Sequence, residues 1–220
     1  MGHSWGSYLA IKTVQQAPEL FQAYIGVGQT TGILEADRAS HEWVQHQATI
    51  RDDKKALQAM TNIGNTPYRD IEKAYEVKYK LIAQYGGFLA GQSDMSYMFK
   101  AVLSSPDYSL WDTLHYVRGM GYYSHHLLNN DKDTVWRLTI RDIRQLDIPI
   151  YFVAGENDQV TPPSLLKSFF NDLHAPKKIM IEVSGAAHFP FIDQKEQFDR
   201  ILLRVLKEQD KTKQGDAQPG

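Results

Sequence analysis

The chain has 220 residues, of which 42% are hydrophobic and 23% charged, and these ordinary proportions exclude a disordered or collagen-like chain. Lys and Arg number 24 against 26 Asp and Glu, so the formal net charge of −2 leaves no basic surplus for nucleic acid. No apolar run approaches the roughly 18 residues of a membrane span. Cysteine is absent, which excludes disulfides and thiolate chemistry and fits a cytoplasmic location.

The chain begins with Gly2-His3-Ser4-Trp5-Gly6, a G-x-S-x-G motif. In this motif the serine stands on a strained turn between a strand and a helix, and the two glycines let neighbouring backbone approach. A helix is predicted over 7–16, because Pro18 blocks its continuation. The strand expected before the motif is missing from the sequence, since only Met1 precedes Gly2.

The remaining elements alternate between strands and helices outside one long helical segment. Strands are predicted over 23–28, a short apolar run that indicates burial, over 149–154, a continuous apolar run, and over 178–183. Helices are predicted over 162–173 and 196–207. Thr161 is expected to cap the first of these helices. This alternation predicts a parallel α/β sheet, interrupted by helical periodicity without a strong strand.

Four segments follow from this pattern. They are residues 1–30 and 146–208, which form the sheet and its helices, residues 31–145, a helical insertion, and residues 209–220, a polar tail predicted to be disordered.

Ser4, Asp158 and His188 stand in loops at the carboxyl ends of strands, or where such a strand should be. Open α/β sheets place their sites at this edge. A serine hydroxyl needs a base to take its proton, a neutral imidazole supplies that base, and a carboxylate orients the imidazole. The three residues therefore indicate a nucleophile, an acid and a base; Asp193, which follows the histidine, is a weaker candidate for the acid.

Three segments together resemble an α/β-hydrolase of the proline iminopeptidase-like type. They are Gly2-His3-Ser4-Trp5-Gly6-Ser7, similar to the nucleophile elbow; Gly155-Glu156-Asn157-Asp158-Gln159-Val160-Thr161-Pro162, similar to the acid loop; and Gly185-Ala186-Ala187-His188-Phe189-Pro190, similar to the histidine loop. The resemblance implies an α/β-hydrolase fold with an incomplete parallel sheet, from the elbow onward, and a helical cap over 31–145. It also implies that the Trp5 amide contributes to the oxyanion hole.

The sequence departs from the family before the elbow, where further strands and a His-Gly loop that gives a second oxyanion donor are expected. The chain is therefore interpreted as a fragment, a truncated product or one with a mis-set start. The resemblance also implies cap carboxylates that hold the free amine of a peptide substrate. Five candidates stay open: Glu35, Asp37, Glu42, Glu72 and Glu76.

The predicted function is a serine hydrolase that cleaves an ester or amide of a small substrate through an acyl-enzyme. No cofactor, metal, nucleic acid or membrane is expected, and the oligomeric state stays open. The alternative is a catalytically impaired remnant that acts only through association with another chain. Its basis is the missing elbow strand, which would leave residues 23–27 as an exposed apolar edge.

Overall fold

A computed structural model describes residues 1–94, 96–123 and 132–216 of the chain. The chain divides into two compact units. Unit 1 consists of Met1–Thr31 and Ile140–Gly220, and unit 2 consists of Gly32–Thr139. Unit 2 lies inside the segment 31–145 that the sequence predicts as a helical insertion.

The strands belong to unit 1 and form one parallel sheet in the order β1-β2-β3-β4. They are β1 (Gly2–His3), β2 (Tyr24–Val27), β3 (Ile150–Gly155) and β4 (Lys178–Val183). In chain order the helices are α1 (Trp5–Gln16), α2 (Ile33–Ile50), α3 (Lys54–Ile63), α4 (Ile71–Gln84), α5 (Ser96–Ser104), α6 (Leu110–Tyr123), α7 (Lys132–Arg137), α8 (Pro163–Asp172), α9 (Pro190–Asp193) and α10 (Lys195–Asp216). The parallel direction brings the carboxyl ends of all four strands to one edge.

The two residues before Ser4 form a short strand, so the expectation that the elbow lacks a strand was wrong. Gly2 pairs with Gly26 and His3 pairs with Val27 in parallel register. This pairing places β2 between β1 and β3. The expectation of an exposed apolar edge over 23–27 was therefore also wrong: β1 pairs with Gly26 and Val27 of this strand, and Tyr24 and Val27 are buried.

Both faces of the sheet are covered by apolar side chains, as a parallel sheet requires. Phe152 of β3 packs with Ile11 of α1 and Phe169 of α8 on one face. Val153, the next residue, packs with Phe198 of α10 on the other face. Every residue of β3 is buried, so this strand forms the centre of unit 1.

Unit 2 contains α2 to α7 and no strand among its described residues. Asp53 and Asp70 cap α3 and α4 by accepting backbone N–H groups of Ala56 and Lys73, each at 3.0 Å. Such caps satisfy amides that the first turn of a helix leaves without acceptors.

Two helix boundaries differ from the sequence expectation. Helix α10 continues to Asp216, whereas residues 209–220 were predicted to be disordered; residues 217–220 of this tail lie outside the described residues. Lys and Gln are good helix formers that extend a helix already nucleated. Helix α8 begins at Pro163, and Thr161 makes no cap. Within the described ranges, no helix has the length and apolar character needed to cross a membrane.

Candidate active site

Ser4 occupies the turn between β1 and α1 in a backbone conformation that residues with a side chain rarely adopt. Its φ of 52° lies in the left-handed region, which costs a non-glycine residue about 1–3 kcal/mol. The turn is held on both sides, because Ser4 N–H donates to the Val27 carbonyl at 3.0 Å and the Ser4 carbonyl accepts the Ser7 N–H at 2.9 Å. The hydroxyl consequently stands at the carboxyl end of β1.

The two glycines of the motif have different surroundings. A Cβ on Gly2 would lie 2.5 Å from the carbonyl oxygen of Gly6 and 2.8 Å from Cα of Ser7. A Cβ on Gly6 would have no atom of the described chain within 4 Å. Close approach of strand and helix therefore requires glycine at position 2, and nothing in the described residues requires it at position 6.

The buried hydroxyl of Ser7 stabilises the turn at Ser4 by two hydrogen bonds. Ser7 Oγ donates to the Ser4 carbonyl at 2.5 Å and accepts the Thr30 N–H at 3.0 Å. The Ser4 carbonyl thus receives two hydrogen bonds, which fixes the peptide that follows the serine. This network supports the strained φ of Ser4.

His188 lies between Ser4 and Asp158. Its Nε2 is 2.8 Å from Ser4 Oγ, and its Nδ1 is 2.9 Å from Asp158 Oδ2. His188 is 2% exposed and Asp158 is fully buried. All three residues belong to unit 1, and they come together from the ends of β1, β3 and β4 in the order that the sequence indicates.

The Asp158 carboxylate receives three hydrogen bonds besides its contact with His188. Oδ1 accepts the N–H groups of Val160 and Thr161, both at 2.8 Å, and Oδ2 accepts the Thr161 hydroxyl at 2.7 Å. These donors compensate the carboxylate for the water it lost on burial. They also explain why Thr161 does not cap α8, since its hydroxyl is already directed to Asp158.

Gly28 and Gly155 allow the backbone to pack closely against His188 and the loop that carries it. Gly28 has a φ of +50°, and a Cβ there would lie 3.2 Å from Cε1 and Nδ1 of His188. A Cβ on Gly155 would lie 1.9 Å from the Ala187 carbonyl oxygen. No side chain fits at either position without moving the histidine or its loop.

Trp5 is the first residue of α1, directly after Ser4. The first amides of a helix have no intrahelical acceptor and lie at the positive end of its dipole. Such an amide suits a developing negative charge on a substrate oxygen. A role of the Trp5 N–H in an oxyanion hole stays a prediction.

One of the five carboxylates proposed from the family resemblance already has partners inside unit 2. Asp37 is buried, forms an ion pair with Lys78 and accepts the Tyr75 hydroxyl at 2.6 Å. The side chains of Glu42, Glu72 and Glu76 are exposed. Among the residues that the structure describes, no group of three His, Asp or Glu side chains is arranged to hold a metal ion.

The contacts that three residues make with this candidate catalytic group were not predicted from the sequence: His3, Gly28 and Thr161. Gly28 had a usable signal, because it directly follows a buried strand. Thr161 follows Asp158 by three positions, a spacing at which a hydroxyl can reach a turn carboxylate. His3 had none, since its contacts lie in a loop 185 positions later in the chain.

The fold agrees with comparison to known proteins. A family model described as alpha/beta hydrolase fold matches residues 1–195. The chain belongs to this family. A probable aminopeptidase, YbaC of Bacillus subtilis (strain 168), is 26% identical to it over 207 residues, which are 92% of this chain and 63% of that protein.

Solved structures show the same fold. The crystal structure of a proline iminopeptidase from Mycobacterium smegmatis has a TM-score of 0.62 at 18% identity, with 96% of this chain and 65% of that one covered. A thermophilic esterase has a TM-score of 0.55 at 18% identity, with 94% and 65% covered. The chain thus spans slightly less than two thirds of the length of these relatives.

Proposed function

We propose that the chain carries the catalytic centre of a serine hydrolase, with Ser4 as nucleophile, His188 as base and Asp158 as the acid that orients the base. The observation that carries this proposal is the continuous set of contacts from Ser4 Oγ through the His188 ring to the Asp158 carboxylate, at 2.8 and 2.9 Å. Membership of the alpha/beta hydrolase family supports the same proposal.

The mechanism begins with attack of Ser4 Oγ on the carbonyl carbon of an ester or amide. As the oxygen–carbon bond forms, the hydroxyl proton passes to His188 Nε2, and the resulting imidazolium is stabilised by Asp158 at Nδ1. The carbonyl oxygen becomes an oxyanion, which the Trp5 N–H would meet at the start of α1.

Collapse of this intermediate expels the alcohol or amine, which takes its proton from His188, and leaves an acyl group on Ser4. Water then attacks the acyl carbon, with His188 again as base, and the acid is released as Ser4 recovers its proton. Loss of one donor from such a hole costs about 10²–10³ in turnover, so turnover should depend on the Trp5 amide.

A fluorophosphonate probe tests the nucleophile without requiring fast turnover, because a single phosphonylation is detected. The probe should modify Ser4, as located by peptide mass spectrometry, and labelling should be lost in Ser4→Ala and His188→Ala. Ser168→Ala, which removes an exposed helical serine, is the matched control and should label like the wild type. Absence of labelling in the folded wild type would overturn the proposal.

The relatives suggest two substrate classes, peptides with a free amino end and simple esters. We infer an aminopeptidase of proline iminopeptidase type as the finer candidate, because the curated relative is named a probable aminopeptidase. A prolyl-anilide and its N-acetylated form are compared with a p-nitrophenyl ester. Cleavage of the free prolyl-anilide alone supports the aminopeptidase; equal cleavage of both anilides, or of the ester only, contradicts it.

A further inference from the structure

His3, the residue directly before the candidate nucleophile, packs against the candidate base. Its ring centroid lies 4.8 Å from that of His188, and the rings of Phe189 and Phe191 lie at 4.9 and 5.0 Å. His3 therefore contributes one wall of the surroundings of the His188 imidazole.

His3 also makes a directional contact with the main chain of the same residue. Its Nε2 lies 2.9 Å from the His188 carbonyl oxygen. A carbonyl only accepts, so Nε2 carries the proton and donates it. Burial, followed by the proximity of His188, lowers the pKa of His3 to about 4. The ring is thus neutral near pH 7 and adds no positive charge beside the imidazolium that forms on His188.

The residues that precede His188 in the histidine loop are held by other hydrogen bonds within unit 1. The Ala187 N–H donates to Asp193 Oδ2 at 2.8 Å, and the Ala186 carbonyl accepts the Asn157 N–H at 2.9 Å. Neither bond joins the loop to the elbow. The His3 contact does, because His3 and Ser4 are consecutive: His3 holds the His188 main chain while Ser4 Oγ meets the His188 ring at 2.8 Å.

We propose that His3 is a positioning residue, which holds His188 in register with Ser4 by donating its Nε2–H to the His188 carbonyl. This inference rests on the proposed function. It assigns to the second residue of the G-x-S-x-G motif a role that depends on a hydrogen-bond donor at one defined distance from the backbone.

Two substitutions of similar length separate the donor from the bulk of the side chain. In His3→Gln the amide nitrogen stands the same number of bonds from Cβ as Nε2, so the donor is kept. In His3→Met a thioether of similar reach replaces it and the donor is lost. The second-order rate constant of fluorophosphonate labelling at Ser4 is measured for both, together with the final labelled fraction and the unfolding temperature.

His3→Met should label about three- to tenfold more slowly, in keeping with the loss of one neutral hydrogen bond, and His3→Gln should recover at least half of the wild-type rate constant. The final labelled fraction should be the same in all three proteins, because the fraction of folded molecules is unchanged. For an ester that is turned over, kcat should fall in His3→Met while KM stays constant.

Three results would overturn the inference: a wild-type rate constant in His3→Met, an equally slow His3→Gln, or a loss that appears only in the labelled fraction, which indicates a folding defect. Failure of the wild type itself to label would instead contradict the proposed function. If His3→Met does not fold, His3→Phe, which keeps the ring and lacks the donor, takes its place with the same expected result.

Discussion

Gly28 lies directly against His188, in a backbone conformation that only glycine adopts without strain. Its φ is +50°, and a Cβ at this position would stand 3.2 Å from two atoms of the imidazole and 3.4 Å from Asp158 Oδ2. The contact between the candidate base and its acid is therefore packed against bare backbone. This relationship makes position 28 sensitive in two separable ways, through backbone strain and through displacement of the ring.

Gly28→Ala should lower both stability and the rate of Ser4 labelling. The left-handed conformation costs an alanine about 1–2 kcal/mol, and the added methyl pushes the His188 ring away from Asp158. Gly86→Ala is the matched control, because Gly86 also has a positive φ of 83° but a Cβ there meets nothing within 4 Å of the described chain. The control should lose stability alone; equal labelling rates in the two variants would contradict a contact with His188.

Replacing Asp158 tests which carboxylate orients the base. Asp158→Asn should reduce turnover by up to about 10⁴, since an amide at this position favours the wrong imidazole tautomer. Asp193→Asn is the control: Asp193 Oδ2 accepts the Ala187 N–H at 2.8 Å, whereas the Nδ1 of His188 faces Asp158. We expect the control to retain most of the turnover, and a larger loss of turnover in Asp193→Asn than in Asp158→Asn would show that the acid was wrongly assigned.

Much of unit 1 was predictable because its signals are local. The strand over 178–183 was placed at its observed bounds, and β3 differs by one residue at each end, since runs rich in apolar residues between turn-forming residues need no tertiary information. The grouping of Ser4, Asp158 and His188 followed from the common edge of a parallel sheet. The features that the sequence did not predict depend on contacts between distant residues. β1 is recognisable only by its pairing with β2, and the role of His3 only by its contact with His188.

The hydroxyl of Thr161 should stabilise the buried Asp158 carboxylate. Thr161→Val preserves the shape of the side chain and removes the 2.7 Å hydrogen bond to Oδ2. Hydrogen bonds to charged groups contribute about 1.5–3 kcal/mol, so the free energy of unfolding in urea should fall by an amount in this range. Thr161→Ser keeps the hydroxyl and should lose less than half as much; equal losses in the two variants would assign the effect to packing.

Removing one partner of the buried ion pair of unit 2 should lower the free energy of unfolding strongly. Replacing both partners by apolar residues should lower it much less. Lys78 is 1% exposed, Asp37 is 5% exposed, and the rings of Tyr68, Tyr75 and Tyr79 surround the ammonium within 5.6 Å. Lys78→Met leaves an uncompensated buried carboxylate and should lower the free energy of unfolding by about 3–5 kcal/mol. The double variant Asp37→Leu with Lys78→Met should recover most of this loss.

An exposed ion pair provides the control for that measurement. The Arg144 and Asp172 side chains lie 3.2 Å apart and are 66% and 57% exposed, and such pairs contribute about 0–1 kcal/mol. Arg144→Met should therefore leave urea unfolding almost unchanged. A loss below 1 kcal/mol in Lys78→Met would show that the Asp37 carboxylate does not depend on its partner.

Acidification should destabilise unit 1 through His3. The folded pKa of His3 is lowered from 6.5 to about 4 by burial and then by the proximity of His188, against smaller opposing effects of the hydrogen bond to the His188 carbonyl and of Asp158; the packed rings of Phe189 and Phe191 carry no charge. Between these pH values the unfolded chain binds a proton that the folded chain does not. The contribution of His3 to stability is therefore fully present above pH 6.5 and decreases as the pH falls towards 4.

His3→Met removes this difference in proton binding, so its free energy of unfolding, measured in urea at pH 7, 5.5 and 4.5, should decline less steeply than that of the wild type. His46→Met, which removes an exposed histidine of α2, is the matched control and should follow the wild type, and identical slopes for His3→Met and the wild type would contradict the lowered pKa.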